Sequence, residues 1–251
     1  MKIHRILLSF VCLAISSAAV ADEEPSAGKQ VEQSLKTKAA GEVPYLLYLP
    51  KDYAEDGGKK WPVMLFLHGR GESHGPLSIV KVWGPPRMAE RGDDLPFIVV
   101  SPQCPSDSRW TAPEQQAGVL ELLDHIEKTY STDEDRVYLT GLSMGGFGSW
   151  RLAADQPQRF AAVAPICGKG DPADGEKLKS VPIWAFHGTE DRSVPFSASV
   201  EMVEAIEKAG GTLVRFTSLE GVGHNSWSAA YATPELYSWF KRFTRSGNQK
   251  P

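Results

Sequence analysis

Val137-Tyr138-Leu139-Thr140-Gly141-Leu142-Ser143-Met144-Gly145-Gly146 is the stretch that decides how this chain folds. A short apolar run ends in a Gly-x-Ser-x-Gly pattern, and a helix-compatible segment continues to about Ala154. Gly141 and Gly145 carry no side chain where the backbone must turn sharply and pass close to its neighbours. The segment therefore reads as strand, tight turn and helix, with Ser143 exposed on the turn. The Met144 N–H and the start of the helix then face any negative charge that develops beside Ser143. A glycine-rich turn with a buried or capping serine is the plainer alternative, and the surrounding sequence has to decide between the two.

Outward from that turn, the same form recurs. Tyr45–Leu49, Val63–Leu67, Phe97–Val100, Phe160–Ile166, Ile183–Phe186 and Val214–Leu219 are short runs without strict alternation, as expected of strands covered on both faces. Helical patterns lie between them. Val119, Leu122, Leu123, Ile126 and Tyr130 share one face behind a capping-box spacing at Thr111 and Glu114, and Leu236, Trp239, Phe240 and Phe243 form a second stripe after Pro234. Alternating strands and helices predict an α/β fold with a mostly parallel sheet and helices on both faces. The expected division is a sorting segment over 1–21, a loose leader over 22–40, one domain over 41–246 and a tail over 247–251.

Two loops beyond the serine carry groups that complete its chemistry. His187-Gly188-Thr189-Glu190-Asp191 follows one strand, and Gly221-Val222-Gly223-His224-Asn225 follows the last. His224 is the candidate to take the Ser143 proton, with Asp191 orienting the imidazole and Glu190 as the competing acid. His68 and His187 follow strands and are expected to organise loops, His125 sits in a helix pattern, and His74 lies in a polar stretch. The chain order Ser143, Asp191, His224 is that of the α/β-hydrolase arrangement. His68-Gly69-Arg70-Gly71 supplies a backbone N–H, that of Arg70, to pair with Met144 around an oxyanion. Gln103, Trp110, Trp83 and Trp227 lie in or beside strand-following loops and are candidates to line a pocket, although core packing also accounts for tryptophans.

Composition narrows the partners. The formal charge is −4 over the whole chain, −6 without Lys2 and Arg5, and its signs are interspersed, so no basic footprint for nucleic acid is expected. The apolar run Ile6–Ile15 follows a basic start and precedes Ala19-Val20-Ala21, which predicts a signal peptide, secretion or a periplasmic location, and no stable membrane insertion. Cys104 and Cys167 remain after Cys12, as one disulfide or as two buried thiols. No metal-type spacing accompanies them, so neither metal nor other cofactor is expected.

Together, His68-Gly69-Arg70-Gly71-Glu72, Ser101-Pro102-Gln103, the Ser143 turn, His187–Asp191 and His224-Asn225-Ser226-Trp227 resemble the secreted esterases related to polyhydroxybutyrate depolymerases and feruloyl esterases, including phospholipase/carboxylesterase-like proteins. The resemblance spans nearly all of residues 22–251. It implies a triad of Ser143, Asp191 and His224, oxyanion donors at Arg70 and Met144, and hydrolysis of small or carbohydrate-linked esters through an acyl-enzyme. A serine peptidase and a catalytically silent binding module are the alternatives. The chain departs from metal-dependent and cysteine-using relatives, and it carries neither a long lid-like insertion nor a separate polymer-binding domain.

Overall fold

The computed structural model describes residues 24–248 except Asp56; the predicted signal peptide and the last three residues lie outside them. Eight strands form one sheet: β1 (Gln30–Thr37), β2 (Gly41–Tyr48), β3 (Trp61–Leu67), β4 (Ile98–Pro102), β5 (Thr132–Leu142), β6 (Ala162–Ile166), β7 (Ile183–Gly188) and β8 (Val214–Leu219). Their order is β1-β2-β4-β3-β5-β6-β7-β8. β2 runs antiparallel to β1 and β4, while the strands from β4 to β8 are mutually parallel.

Helices cover both faces, as an α/β-hydrolase fold requires. On one side α2 (Pro113–Thr129), α3 (Met144–Asp155) and α5 (Ser197–Lys208) press Leu122, Ile126, Trp150, Met202 and Ile206 against Val63, Leu65 and Leu139. On the other, α1 (Gly84–Glu90), α6 (Trp227–Tyr231) and α7 (Pro234–Phe240) cover Met64, Phe66, Tyr138 and Trp184. Two short helices, α4 (Gly175–Leu178) and α8 (Arg245–Asn248), complete the set, so α8 takes in two residues assigned by sequence to the tail. β3, β4, β6 and β7 are buried nearly throughout because both faces meet helices, and each large side chain so buried contributes about 1.5–3 kcal/mol.

Two sequence expectations change. The leader assigned to residues 22–40 contains β1, an edge strand whose sequence Gln-Val-Glu-Gln-Ser-Leu-Lys-Thr buries only Val31 and Thr37. Edge position explains its polarity: one side has no strand partner, so the residues need not be apolar. At the start of α2 the N-cap is Ala112, with Pro113 in the first turn and no side-chain cap, so Thr111 and Glu114 form no capping box.

The chain leaves β3 for β4 on one side and returns through α2 to β5 on the other. β3 and β5 are neighbours, so the loops after Leu67 and Leu142 open at a point where the strand order reverses, the place where open α/β sheets form a crevice.

Candidate active site

Ser143 lies between the end of β5 and the first residue of α3, with φ 51° and ψ −117°. A positive φ in a residue with a Cβ is strained by about 1–3 kcal/mol, and packing keeps the turn in place. A Cβ at Gly145 would sit 1.8 Å from the Leu67 carbonyl oxygen, and one at Gly141 would sit 2.5 Å from that of Gly145. Only glycine at these two positions lets the turn press against the end of β3. The Ser143 N–H donates to the Ile166 carbonyl (2.9 Å), and its carbonyl accepts from Phe147 (3.0 Å). Its hydroxyl caps nothing, so Oγ is left for another partner.

That partner is His224, whose Nε2 lies 2.9 Å from Oγ. On the other side of the ring Nδ1–H donates to Asp191 Oδ2 at 2.7 Å. Asp191 Oδ1 accepts from the backbone N–H groups of Ser193 (2.8 Å) and Val194 (2.9 Å). Burial pushes the Asp191 carboxyl up, but the His224 bond and these two N–H groups outweigh it and keep the carboxyl below its ordinary range. Glu190, the competing acid, is exposed.

A second histidine supports the acid from below. Buried His187 directs Nε2 at both the Val194 carbonyl (3.1 Å) and Asp191 Oδ2 (3.2 Å), while Nδ1 meets Ser199 Oγ at 2.7 Å. Burial lowers its affinity for a proton. The neutral tautomer that fits donates from Nε2 and accepts the Ser199 hydroxyl at Nδ1. The sequence flagged His187 as a loop organiser; its contact with Asp191 follows from the register of the turn after β7.

The loop after β3 is equally tied down. His68 is fully buried, its Nδ1–H donates to the Gly69 carbonyl (2.6 Å), and its Nε2 accepts the Cys104 N–H (2.9 Å). Burial lowers its pKa to about 4, so the ring is neutral. Arg70 is exposed, and its guanidinium donates to the carbonyls of Ser108 (2.6 Å) and Ser106 (2.7 Å). Gln103 and Trp110 turn away from the pocket. Gln103 Nε2 donates to the Glu72 carbonyl (2.9 Å), and Trp110, 1% exposed, donates its indole N–H to the His68 carbonyl (3.0 Å). Both are braces of the loop, because a position after a strand does not determine which way a side chain points.

A cavity of about 510 Å³ opens over Ser143 and His224, with Arg70, Arg109, Met144 and Phe147 among its walls. Trp227 does not line it; its ring stands edge-on to His224, centroids 5.2 Å apart, and lines a cleft of about 660 Å³ that also takes in Trp83. Phe147, one helical turn after Ser143, was recoverable from sequence by spacing, whereas Arg109, Ser193 and Val194 carry no pattern that points to the cavity.

Cys104 and Cys167 are buried free thiols, and burial pushes each up to about 12. Cys167 (φ 40°) brings its sulfur within 4.8 Å of ligand atoms of Asp191 and His224. A thiol, a carboxylate and an imidazole are metal-type donors. Here the acid and the ring already bond each other, and burial disfavours the thiolate a metal would require. Among the described residues no helix is long and apolar enough to cross a membrane.

The sequence profile of the Esterase family matches residues 37–212. The bifunctional acetylxylan esterase/xylanase XynS20E of Neocallimastix patriciarum is 28% identical over 156 residues, 58% of this chain and 21% of that protein. The crystal structure of a thermostable esterase is similar at a TM-score of 0.72 and 33% identity, covering 86% of this chain and 63% of that one. A ferulic acid esterase structure has a TM-score of 0.66 at 22% identity over 84% of this chain and 96% of its own, a likeness of fold. The chain spans between about a fifth and about a half of the first curated relatives it matches.

Proposed function

The chain belongs to the Esterase family, and from that premise we propose that it hydrolyses carboxylic esters through an acyl-enzyme on Ser143. The observation that carries this reading is the unbroken line from Ser143 Oγ to His224 Nε2 (2.9 Å) and from His224 Nδ1 to Asp191 Oδ2 (2.7 Å), opening on one cavity.

His224, neutral at the outset, takes the Ser143 proton as Oγ attacks the ester carbonyl carbon. Asp191 stabilises the imidazolium that results. The tetrahedral oxyanion accepts from the backbone N–H groups of Met144 and Arg70, and losing one such donor costs serine hydrolases about 3–4 kcal/mol. The C–O bond then breaks, the alcohol leaves with the proton from His224, and the acyl group remains on Oγ. Water, deprotonated by His224, attacks the acyl carbon and releases the acid, returning the proton to Ser143. Names of similar proteins, acetylxylan esterase and ferulic acid esterase, support small or carbohydrate-linked acyl and aryl esters as substrates.

The test is the purified chain and Ser143→Ala on 4-nitrophenyl butyrate, methyl ferulate, acetylated xylo-oligosaccharides and aminoacyl amides. Turnover of esters by the parent should fall by at least about 10³-fold in the variant. Full activity in Ser143→Ala removes the nucleophile assignment, and turnover confined to amides moves the reading to a peptidase.

A further inference from the structure

The wall of the catalytic cavity carries two guanidinium groups in different states. Arg70 is engaged with the Ser106 and Ser108 carbonyls. Arg109 lines the same cavity, is exposed, and has no ion-pair or hydrogen-bond partner for its side chain among the described residues. An unpaired arginine is ordinary on an open surface, but this one stands on a fixed backbone beside the candidate nucleophile. On one side of it Arg70 pins the Ser108 carbonyl; on the other, Trp110 is buried and bonded to the His68 carbonyl. Its own carbonyl accepts the Ala112 N–H at 3.0 Å. The segment is therefore ordered before any ligand arrives, and the guanidinium brings five N–H donors to the cavity in a planar fork that matches a carboxylate.

The remaining charges favour the same ligand. Asp107 is the one carboxylate among the cavity's lining residues, against Arg70 and Arg109, which leaves that wall net positive in a chain whose total charge is −4. The lining residues Phe147, Ser193 and Val194 add no charge. The carboxylate of Asp191 behind them is already met by His224 and two backbone N–H groups.

We propose that Arg109 is the specificity-determining residue of this cavity and that the esters it selects carry a carboxylate. The inference rests on the esterase reading. The carboxylate belongs either to the acyl part, as in a half-ester of a dicarboxylic acid, or to the alcohol part, as in an acylated acidic sugar, and two substrate pairs separate these sources. 4-Nitrophenyl hydrogen glutarate is compared with 4-nitrophenyl pentanoate, and 4-acetoxybenzoate with phenyl acetate, for the full chain, Arg109→Gln and Lys169→Gln. Lys169 is an exposed cation of the adjoining recess and reports on the general field.

In one pair the charged-to-neutral ratio of kcat/KM should drop about tenfold in Arg109→Gln, chiefly through KM, the scale of one charge-assisted contact at a partly exposed site. The same ratio in Lys169→Gln should stay at the parent value. Ratios unchanged by Arg109→Gln in both pairs, with neutral esters still hydrolysed, overturn the inference and leave the esterase reading intact. An equal drop in Lys169→Gln overturns it too, by assigning the effect to long-range attraction. Failure of the parent chain on all four substrates removes the esterase reading itself.

Discussion

At Asp191 two neighbouring acids of one loop part company. Both carboxylates were open to the sequence, because Glu190 and Asp191 each follow β7 closely; side-chain direction decides between them. Asp191 points inward onto His224, His187 and two backbone N–H groups, while Glu190 is exposed. Asp191→Asn should therefore lower kcat on 4-nitrophenyl butyrate by about 10³-fold or more, since an amide cannot stabilise the imidazolium and favours the wrong tautomer. Glu190→Gln should stay within about twofold, the ordinary effect of an exposed change. Circular dichroism on both variants separates loss of chemistry from loss of fold, and the reverse ranking would reassign the acid. Gln103 and Trp110 illustrate the opposite outcome at this scale. Their positions after strands made them pocket candidates, and their hydrogen bonds to the Glu72 and His68 carbonyls make them braces.

Among the elements, the β5–turn–α3 unit was legible from the residues alone because glycine spacing, apolar run and helix pattern all agreed. Its tolerance to change is a matter of contact. Gly145→Ala puts a methyl group 1.8 Å from the Leu67 carbonyl oxygen at the β3–β5 junction, where backbone atoms on both sides leave no room to yield. We expect a loss of more than about 3 kcal/mol in urea unfolding, together with loss of activity. A variant of parental stability would show that the junction is looser than its geometry. β1 was invisible for a complementary reason: a polar edge strand owes its existence to pairing with β2, register Val31 with Leu47 and Leu35 with Val43, and not to its own apolar pattern. The start of α2 shows the same dependence, since Pro113 after Ala112 begins the helix where a Thr-Glu spacing had suggested a cap.

Across the whole molecule, three buried groups tie stability to pH. His68, lowered to about 4, and His187, also lowered, stay neutral in the folded chain, while the unfolded chain binds protons at each from about 6.5. The contribution of His68 is complete above about pH 6.5 and is lost as pH falls toward about 4, a difference of about 3 kcal/mol, and that of His187 declines in the same direction below about pH 6.5. Asp191, held below its ordinary range, contributes above about pH 4 and loses that contribution at still lower pH. The thermal midpoint should drop by about 5–10 °C between pH 6.5 and 4, and a flat profile there would contradict the buried neutral histidines. The sequence by itself determined the fold class, the turn that carries Ser143 and the order of serine, acid and histidine, because these depend on local periodicity, glycine spacing and chain order. Only the tertiary structure decided that Asp191 and not Glu190 meets His224, that β1 joins the sheet, that Cys104 and Cys167 are free, and that Arg109 stands in the cavity. Those outcomes depend on side-chain direction and long-range pairing, which arise when distant segments pack against one another.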